Sequence, residues 1–432
     1  MKCKLVKGSK ENLKEQCALL GSRGKMDLGP IIEKVEVIID DIKKNGDSAV
    51  LKYTKKFDKA DLTPETMKVS QAEIDAALTE VDPELLEILK KAAANIRSFH
   101  ENQKEEGFMT EVGKGAFVGA VVRPISVAGI YVPGGTAPLP STVLMDVIPA
   151  SVAGVPRIVF CTPPRADGSI APVILAAATI AGATEIYKVG GSQAVAAMAY
   201  GTETIPRVDK ICGPGNIYVN TAKRLVFGQV DIDMFAGPSE ILIIADGTAD
   251  PEFAAADMLS QAEHDKIASA ILVTTSEEYA GKVLEAVDRR SEQASRKEIL
   301  EESLPNYCSI IVCDDLDTAI EFSEEIAPEH LELLLENPEE VLGRIKNAGA
   351  VFMGSWSPEP LGDYFAGPNH TLPTSGTARF FSPLNTGDFY KKMSVINYNE
   401  ESLREVYKDV AAFADSEGLA CHAASIRVRF ED

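Results

Sequence analysis

The sequence predicts a mixed α/β fold in which two α/β units with parallel sheets follow one another, flanked by helical segments near both ends. Short apolar runs alternate with helical segments from Phe117 onward, and a second alternation of the same kind begins at Ser239. This alternation is typical of parallel strands joined by crossover helices. The length agrees, because 432 residues correspond to roughly three domain-sized units.

The N-terminal region, residues 30 to 106, is predicted to be mostly helical. Its clearest helix has apolar residues at three-to-four spacing between charged ones, namely Leu85, Leu86, Leu89, Ala92, Ala93 and Ile96. We expect that helix to pack by one face. In the first α/β unit, the pattern predicts strands at residues 157–161 and 185–189 and helices at residues 141–154, 170–182 and 216–227.

The second α/β unit has the same kind of pattern. Its predicted strands lie near residues 241–244, 270–274, 309–312 and 350–353, with helices between them. Residues 356–388 are rich in Pro, Gly, Asn, Asp and Ser, and a loop of that length in a compact domain is usually functional or disordered. Its aromatic residues argue against disorder. The chain then returns to a helical pattern between Leu403 and Phe413.

Composition excludes several classes of partner. The 43 basic and 65 acidic side chains give a formal net charge of −22, which repels nucleic-acid backbones and anionic lipids. The longest strongly apolar stretch, residues 171–183, has 13 residues, fewer than the roughly 20 that span a bilayer. No apolar run follows the basic residues of the first 25 positions, so we expect no secretory signal. The seven cysteines are scattered without a C-x-x-C pair, which favours reduced thiols and a cytoplasmic protein.

Four of the five histidines lie beside another polar side chain that could act as a ligand or base. Gln261 and His264 are three residues apart near the end of a helix that Asp250 and Pro251 would begin, so one metal ion could bind both. Taken alone the spacing is weak evidence, because Q-x-x-H also occurs by accident on solvated helices. The fifth histidine, His100, is interpreted as structural or solvated.

Asp363 and His370 lie in the polar loop, where Asp363 could also simply form an Asx turn. Two histidines, one carboxylate and one amide oxygen would nevertheless make a chemically sensible zinc site. Glu329 and His330 follow Pro328, and we expect both on an exposed turn between a helix and a strand. Histidine is the usual base for an alcohol proton, and glutamate can activate water. The alternative is an ordinary surface pair.

The glycine motifs leave nucleotide binding open. Gly213-Pro-Gly215-Asn216 resembles a phosphate-binding turn between a strand and a helix, but Tyr218 stands where the dinucleotide fingerprint needs its third glycine. The chain also has no G-x-x-x-x-G-K-[ST] motif. Two other glycine pairs, in residues 131–135 and 190–193, follow predicted strands, where α/β sheets bind ligands.

Several long motifs, in order along nearly the whole chain, resemble the histidinol dehydrogenase family. They are Tyr131-Val-Pro-Gly-Gly135, Ile232-Asp-Met-Phe-Ala-Gly-Pro-Ser-Glu240, Gln261-Ala-Glu-His264, Ala327-Pro-Glu-His-Leu331, Gly362-Asp-Tyr364 with Gly367-Pro-Asn-His-Thr-Leu-Pro373, and Glu417-Gly-Leu419 with Cys421-His422. The resemblance implies two incomplete Rossmann-like α/β domains, one discontinuous (28–129 and 239–385) and one that binds NAD (130–238). It also implies an N-terminal arm (1–27) and a C-terminal tail domain (386–432), which crosses over in a domain-swapped homodimer to complete the partner's active site.

The resemblance also implies roles for individual residues. One Zn²⁺ per subunit would be bound by Gln261, His264, Asp363 and His422. The substrate would contact these four residues and Ser239, His330, His370 and Glu417. Tyr131, Gln193 and Asn216 would contact NAD, and Glu329 and His330 would be catalytic.

The implied reaction is the zinc-dependent, four-electron oxidation of L-histidinol to L-histidine through L-histidinal, with two NAD, at the end of histidine biosynthesis. His330 would act as the base for the hydroxyl proton, and Glu329 would activate water in the second step. One alternative is a dehydrogenase of another amino alcohol or polyol on the same scaffold. Another is a non-catalytic metal-binding protein. L-Histidinol is the expected substrate, with neither nucleic acid nor membrane as a partner.

Overall fold

The computed structural model describes residues 3–9, 17, 28–134, 138–235 and 237–431. The chain divides into two compact units. The large unit comprises Met1–Gln103 and Ser126–Phe389, and the small unit comprises Lys104–Ile125 and Tyr390–Asp432. Each unit contains its own sheets and helices.

The strands of the described residues form three sheets. In chain order the strands are β1 (Lys4–Lys7), β2 (Phe108–Gly113), β3 (Ala116–Pro124), β4 (Val127–Tyr131), β5 (Arg157–Thr162), β6 (Glu185–Lys188), β7 (Lys210–Cys212), β8 (Asp231–Ile232), β9 (Glu240–Ala245), β10 (Ser269–Thr274), β11 (Ser309–Val312), β12 (His330–Leu334), β13 (Ala350–Met353) and β14 (Tyr390–Asn397). The large unit has a five-stranded sheet in the order β6-β5-β4-β7-β8 and a six-stranded sheet in the order β1-β11-β10-β9-β12-β13. All neighbouring strands in both sheets are parallel, which confirms the predicted fold class.

Helices connect and cover the strands. They are α1 (Gly29–Phe57), α2 (Pro64–Met67), α3 (Gln71–Glu80), α4 (Pro83–Glu101), α5 (Pro140–Val152), α6 (Pro172–Ala181), α7 (Gly191–Tyr200), α8 (Ile217–Val226), α9 (Pro251–Ala262), α10 (Glu277–Ser291), α11 (Lys297–Tyr307), α12 (Leu316–Ile326), α13 (Glu339–Leu342), α14 (Glu359–Tyr364), α15 (Glu400–Ser416) and α16 (Ala420–Arg427). In the described part of the chain, none of them combines the length and apolar character that a bilayer span requires.

The core of the six-stranded sheet explains why the sequence pattern predicted its central strands. All six residues of β9 are buried, and so are all six of β10. Ile241 and Ile243 pack in one apolar cluster with residues of α9 and α10, whereas Leu242 and Ile244 pack in another with residues of α12. A parallel strand covered on both faces is apolar at nearly every position, which gives the continuous runs seen in the sequence.

The N-terminal region is helical as predicted, from α1 to α4. Sequence patterns did not predict β1, which pairs in parallel with β11 at the edge of the six-stranded sheet. The polar segment 356–388 contains the short helix α14 and the 3-10 turns Thr377–Arg379 and Thr386–Phe389.

The small unit consists of an antiparallel sheet in the order β14-β3-β2 followed by α15 and α16. The side chain of Asn399 begins α15 by accepting the N–H of Ser402 at 2.9 Å, and its amide nitrogen donates to the carbonyl of Lys114 at 2.7 Å. The tail is therefore helical between Leu403 and Phe413, as predicted, but a strand precedes these helices.

Candidate functional site

Glu329 and His330 lie at the amino end of β12, a strand with neighbours on both sides. His330 is the first residue of β12 and is in register with Ile241 of β9 and Ala350 of β13. Both side chains are buried, with 6% of Glu329 and 4% of His330 exposed. The expected exposed turn is therefore wrong. The proline-based rule locates the end of the helix but does not reveal that the chain enters the middle of a sheet directly afterwards.

The His330 ring has one nitrogen in a hydrogen bond and one nitrogen without a partner. Nδ1 lies 3.0 Å from the backbone carbonyl oxygen of Glu240. Nε2 is buried, and no hydrogen-bond partner reaches it from the described residues. Burial lowers the pKa of His330 to about 4, so the ring is neutral at neutral pH. A neutral imidazole with a free nitrogen is able to accept a proton.

Next to the imidazole lies the Glu329 carboxyl. Its Oε2 accepts the backbone N–H of Glu240 at 2.9 Å and lies 3.7 Å from Nδ1 of His330. Burial raises the pKa of Glu329 well above its usual range, and the nearby carboxyls of Glu240 and Asp363 add to this shift. Burial therefore favours the protonated form of Glu329 in the free protein, and once this carboxyl is ionised it is a stronger base than an exposed one.

Another buried carboxyl, that of Glu359, was not identified from the sequence. Its Oε1 lies 3.9 Å from Nε2 of His330, and no donor among the described residues reaches that oxygen. Burial raises the pKa of Glu359, and the carboxyl of Asp363 raises it further. Glu359 and Asp363 are four residues apart on α14, a spacing that places two side chains on one face of a helix. That spacing is the sequence signal that could have found Glu359.

Asp363 lies beside His370 in the polar segment. Oδ1 of Asp363 is 3.6 Å from Nδ1 of His370. Burial alone would raise the pKa of Asp363, but the adjacent His370 ring outweighs burial and holds that pKa well below its usual range. Conversely, burial disfavours the charged ring of His370, and Asp363 outweighs this effect and raises the pKa of His370. The carboxylate of Asp363 is thus kept ionised.

His330, Asp363 and His370 line one cavity, here called the His330 cavity, of about 570 Å³. Its lining includes His330, Asp363, His370, Asn369 and Phe352. Ligand atoms of His330, Glu359 and Asp363 all lie within 4.8 Å of one another, so these three residues could hold a metal ion. Of the four zinc ligands that the family resemblance implies, only Asp363 belongs to this group.

The helix that carries Gln261 begins where the sequence predicted, and His264 lies just after its end. The Asp250 side chain begins α9 by accepting the N–H of Glu252 at 2.9 Å. The helix ends at Ala262, so His264 follows the helix and is exposed. Gln261 is fully buried, and neither polar atom of its amide has a partner among the described residues. The His264 ring is near enough for its charge to lower the pKa of His330.

The remaining predicted contacts lie in different places. Ser239 is half-buried in the large unit, directly before β9, and its carbonyl accepts the N–H of Ser269 at 3.1 Å. Glu417 and His422 belong to the small unit, where both are exposed and line a groove of about 620 Å³ that also contains Phe413.

Tyr131, Gln193 and Asn216 line a second cavity of about 1010 Å³, here called the Tyr131 cavity. It lies where β4 ends and where α7 and α8 begin, the usual ligand position of a parallel α/β sheet. The Tyr131 hydroxyl accepts the N–H of Gly191 at 3.2 Å. The buried amide of Gln193 has no hydrogen-bond partner among the described residues. Its nitrogen and its oxygen could therefore both bind a ligand.

An ion pair that sequence reasoning missed holds the turn before Asn216. Lys223 and Asp233 are both buried and form an ion pair. Asp233 also accepts the N–H of Gly213 at 2.7 Å, and Lys223 donates to the carbonyl of Gly213 at 3.0 Å. Gly213 has a φ of 118°, and a Cβ there would lie 1.9 Å from the carbonyl oxygen of Tyr131. The glycine is therefore required by close packing of the turn against β4.

Comparison with known proteins identifies the family. The protein-family model described as histidinol dehydrogenase matches residues 22–430 of this chain. Histidinol dehydrogenase of Caldanaerobacter subterraneus subsp. tengcongensis is 57% identical over 409 residues, covering 95% of each chain. That of Clostridium acetobutylicum is 54% identical over 401 residues, covering 93% of each chain. The crystal structure of histidinol dehydrogenase from Elizabethkingia anophelis has a TM-score of 0.93 at 43% identity and covers 99% of this chain and 98% of its own. This chain therefore belongs to the histidinol dehydrogenase family.

Proposed function

We propose that this chain oxidises L-histidinol to L-histidine through L-histidinal, using zinc and two molecules of NAD, as the final steps of histidine biosynthesis. The observation that carries the proposal is the unpartnered Nε2 of His330, buried at the wall of a cavity that Asp363 and His370 also line. Family membership supports the choice of histidinol as substrate.

The residues proposed to hold zinc fit such an ion. A buried amide oxygen without a donor, as in Gln261, and a carboxylate kept ionised, as in Asp363, are suitable ligands for zinc, and His264 adds a nitrogen. The fourth ligand would be His422 of the partner subunit, with Glu417 of the partner subunit contacting the substrate, in a homodimer whose tail (386–432) crosses over. When bound, zinc would orient the imidazole and the amine of the substrate.

In the first oxidation, His330 acts as the base. Its Nε2 accepts the proton of the substrate hydroxyl while the hydrogen on the same carbon leaves as hydride to C4 of the nicotinamide. The C–O bond becomes a C=O bond, and the products are the aldehyde and NADH. The low pKa of His330 keeps the ring neutral before the reaction, so the lone pair of Nε2 is available.

In the second oxidation, Glu329 acts on water. Its carboxylate accepts a proton as the water oxygen bonds to the aldehyde carbon, and the proton that Nε2 of His330 took up in the first oxidation passes to the former carbonyl oxygen. This gives a gem-diol and returns the His330 ring to its neutral form. His330 then accepts a hydroxyl proton, and the carbon gives its remaining hydrogen as hydride to a second NAD. The products are the carboxylic acid of L-histidine, which releases its proton to solvent to become the carboxylate, and a second NADH.

NAD is proposed to bind in the Tyr131 cavity, against Tyr131, Gln193 and Asn216. The cavity is large enough for part of a dinucleotide, and the free amide of Gln193 offers both a donor and an acceptor. The protein is proposed to act in the cytoplasm, because all seven cysteines are free thiols and six of them are buried, as expected in a reducing compartment.

An absorbance assay tests the proposed function. The purified protein is supplied with zinc, NAD and L-histidinol, and NADH is followed together with L-histidine. We expect NADH to form with histidinol and not with small polyols or other amino alcohols. Turnover of another alcohol in preference to histidinol would contradict the proposed substrate, and the absence of turnover with any alcohol would contradict the enzyme activity.

A further inference from the structure

The Tyr131 cavity contains a carboxyl group that the proposed mechanism does not use. Asp58 lies at the C-terminal end of α1, where its backbone N–H donates to the carbonyl of Thr54 at 2.8 Å. Its side chain lines the cavity together with Tyr131 and Gln193. The Oδ2 atom of Asp58 is buried, and no hydrogen-bond partner reaches it from the described residues.

The Asp58 carboxyl group does not stabilise the free protein. The C-terminal end of a helix carries partial negative charge, which favours cations such as Lys55 and Lys56 in the last turn and disfavours an anion. Burial raises the pKa of Asp58 to about 6, because the charged form loses hydration. A buried acceptor without a donor also destabilises the folded state. A group that destabilises the free protein and faces a cavity is typical of a binding site.

The surroundings of Asp58 fit the adenosine end of a dinucleotide. Phe57, the preceding residue, lines the same cavity, is 49% exposed and stacks on Tyr53 with ring centroids 5.8 Å apart. An aromatic face for a base thus lies beside an acceptor for a sugar hydroxyl. In dinucleotide-binding folds, a carboxylate commonly accepts from the 2′-hydroxyl of the adenosine ribose.

The same carboxylate would exclude a phosphate at that position. Sites that accept a 2′-phosphate usually offer an arginine, and the described lining of the Tyr131 cavity contains none. Two lysines, Lys34 and Lys56, line the cavity, but both are exposed, so water and salt screen their charges. The Asp58 carboxylate has a buried oxygen, so water and salt screen its charge less than they screen the two lysines.

We propose that Asp58 accepts a hydrogen bond from a ribose hydroxyl of NAD and makes this chain select NAD over NADP. The inference rests on the proposed function, which places a nicotinamide dinucleotide in the Tyr131 cavity. It extends that function by assigning the residue that discriminates between the two cofactors.

The test measures dissociation constants of NADH and NADPH by fluorescence titration, in the absence of turnover, together with melting temperatures. Asp58→Ser is expected to weaken NADH binding by about 10- to 100-fold, as for the loss of a hydrogen bond to a charged group, and to leave NADPH binding unchanged or tighter. Asp58→Asn keeps the size of the side chain and removes its charge, so it is expected to tighten NADPH binding. Neither variant is expected to lower the melting temperature, whereas loss of a merely structural group would lower it.

Asp61→Ser is the matched control. Asp61 is an exposed carboxylate three residues away that pairs with Lys55 at 2.8 Å and does not line the cavity. Equal changes for both cofactors in Asp58→Ser, or no change in either, would overturn the inference while leaving the proposed function intact if the wild-type protein still binds NADH and oxidises histidinol. A wild-type protein that binds neither cofactor would overturn both.

Discussion

The Nδ1 atom of His330 lies 3.0 Å from the carbonyl oxygen of Glu240. A carbonyl oxygen only accepts, so Nδ1 carries the proton of the neutral ring and Nε2 keeps its lone pair. Glu240 begins β9 and His330 begins the neighbouring strand β12. The pairing of two parallel strands thus fixes the tautomer, and the ring needs no titratable partner to present Nε2 as a base.

Replacement of this proposed base is expected to abolish most of the turnover. His330→Asn should lower kcat by about 10²- to 10⁴-fold, the usual contribution of a general base, which corresponds to about 3 to 5 kcal/mol in the barrier. Steady-state NADH formation measures the effect, with zinc content and melting temperature checked in the same preparation.

His100→Asn is the control for that variant. His100 is fully buried, with Nδ1 2.6 Å from Oε1 of Gln103, and it takes no part in the proposed chemistry. This variant is expected to lose stability but to keep its turnover per folded molecule. Equal kcat values in His330→Asn and His100→Asn, with normal zinc content, would show that His330 is not the base.

Part of this site could be predicted from the sequence because local rules govern it. Asp250 and Pro251 mark the start of α9, and that start places Gln261 in the last turn. The burial of His330 and the closeness of Glu359 could not be predicted from local patterns. They depend on β12 lying between β9 and β13, and strand order is a tertiary property that no local pattern contains. The strand β1 was missed for the same reason, since it forms at an edge by pairing with β11.

The buried carboxyl of Glu359 makes stability depend on pH. Because the folded protein raises the pKa of this group above its ordinary value of 4.5, the folded state retains a proton that the unfolded state releases. Its contribution to stability is therefore present at low pH and is lost as the pH rises above the unfolded pKa. Glu359→Gln removes this dependence, so the gain in melting temperature over wild type is expected to be larger at about pH 8 than at about pH 5.

That comparison uses protein freed of metal by chelation, so that metal binding does not contribute. Glu301→Gln, at an exposed position of α11, is the matched control and is expected to give the same small difference at both pH values. A Glu359→Gln gain that is constant or decreases with pH would contradict the assignment of a raised pKa to this carboxyl.

Zinc content separates the two candidate ligand sets. Gln261→Ala, His264→Ala and Asp363→Ala are expected to lose zinc, because each removes one proposed ligand. Glu359→Gln is expected to retain about one zinc per subunit, since Glu359 is not a proposed ligand. Elemental analysis after gel filtration gives the ratio. Loss of zinc in Glu359→Gln with retention in Gln261→Ala would favour the group of His330, Glu359 and Asp363 instead.

The buried ion pair under the Gly213 turn is expected to serve both stability and cofactor binding. Lys223→Met leaves the Asp233 carboxylate buried and unpaired, which should cost about 3–5 kcal/mol in the free energy of unfolding. The double variant Lys223→Met/Asp233→Asn removes both charges and is expected to recover much of that stability. Both variants are expected to bind NADH more weakly than the wild type, because the hydrogen bonds that hold Gly213 are altered in each.

Denaturant unfolding and fluorescence titration of NADH measure these two effects on the same proteins. If the double variant recovered stability and NADH affinity together, the ion pair would act on folding alone and would have no separate role in positioning the turn before Asn216.

Nε2 of His330 is proposed to stay free as a base while other residues bind zinc. A crystal structure of the zinc-loaded protein with L-histidinol, recorded at the zinc absorption edge, tests it most directly. We expect one anomalous peak per subunit, bonded to Gln261, His264 and Asp363, with the substrate hydroxyl within hydrogen-bond distance of Nε2 of His330. A peak bonded to Nε2 of His330 together with Glu359 and Asp363 would contradict it, because a nitrogen that coordinates the metal cannot accept the proton.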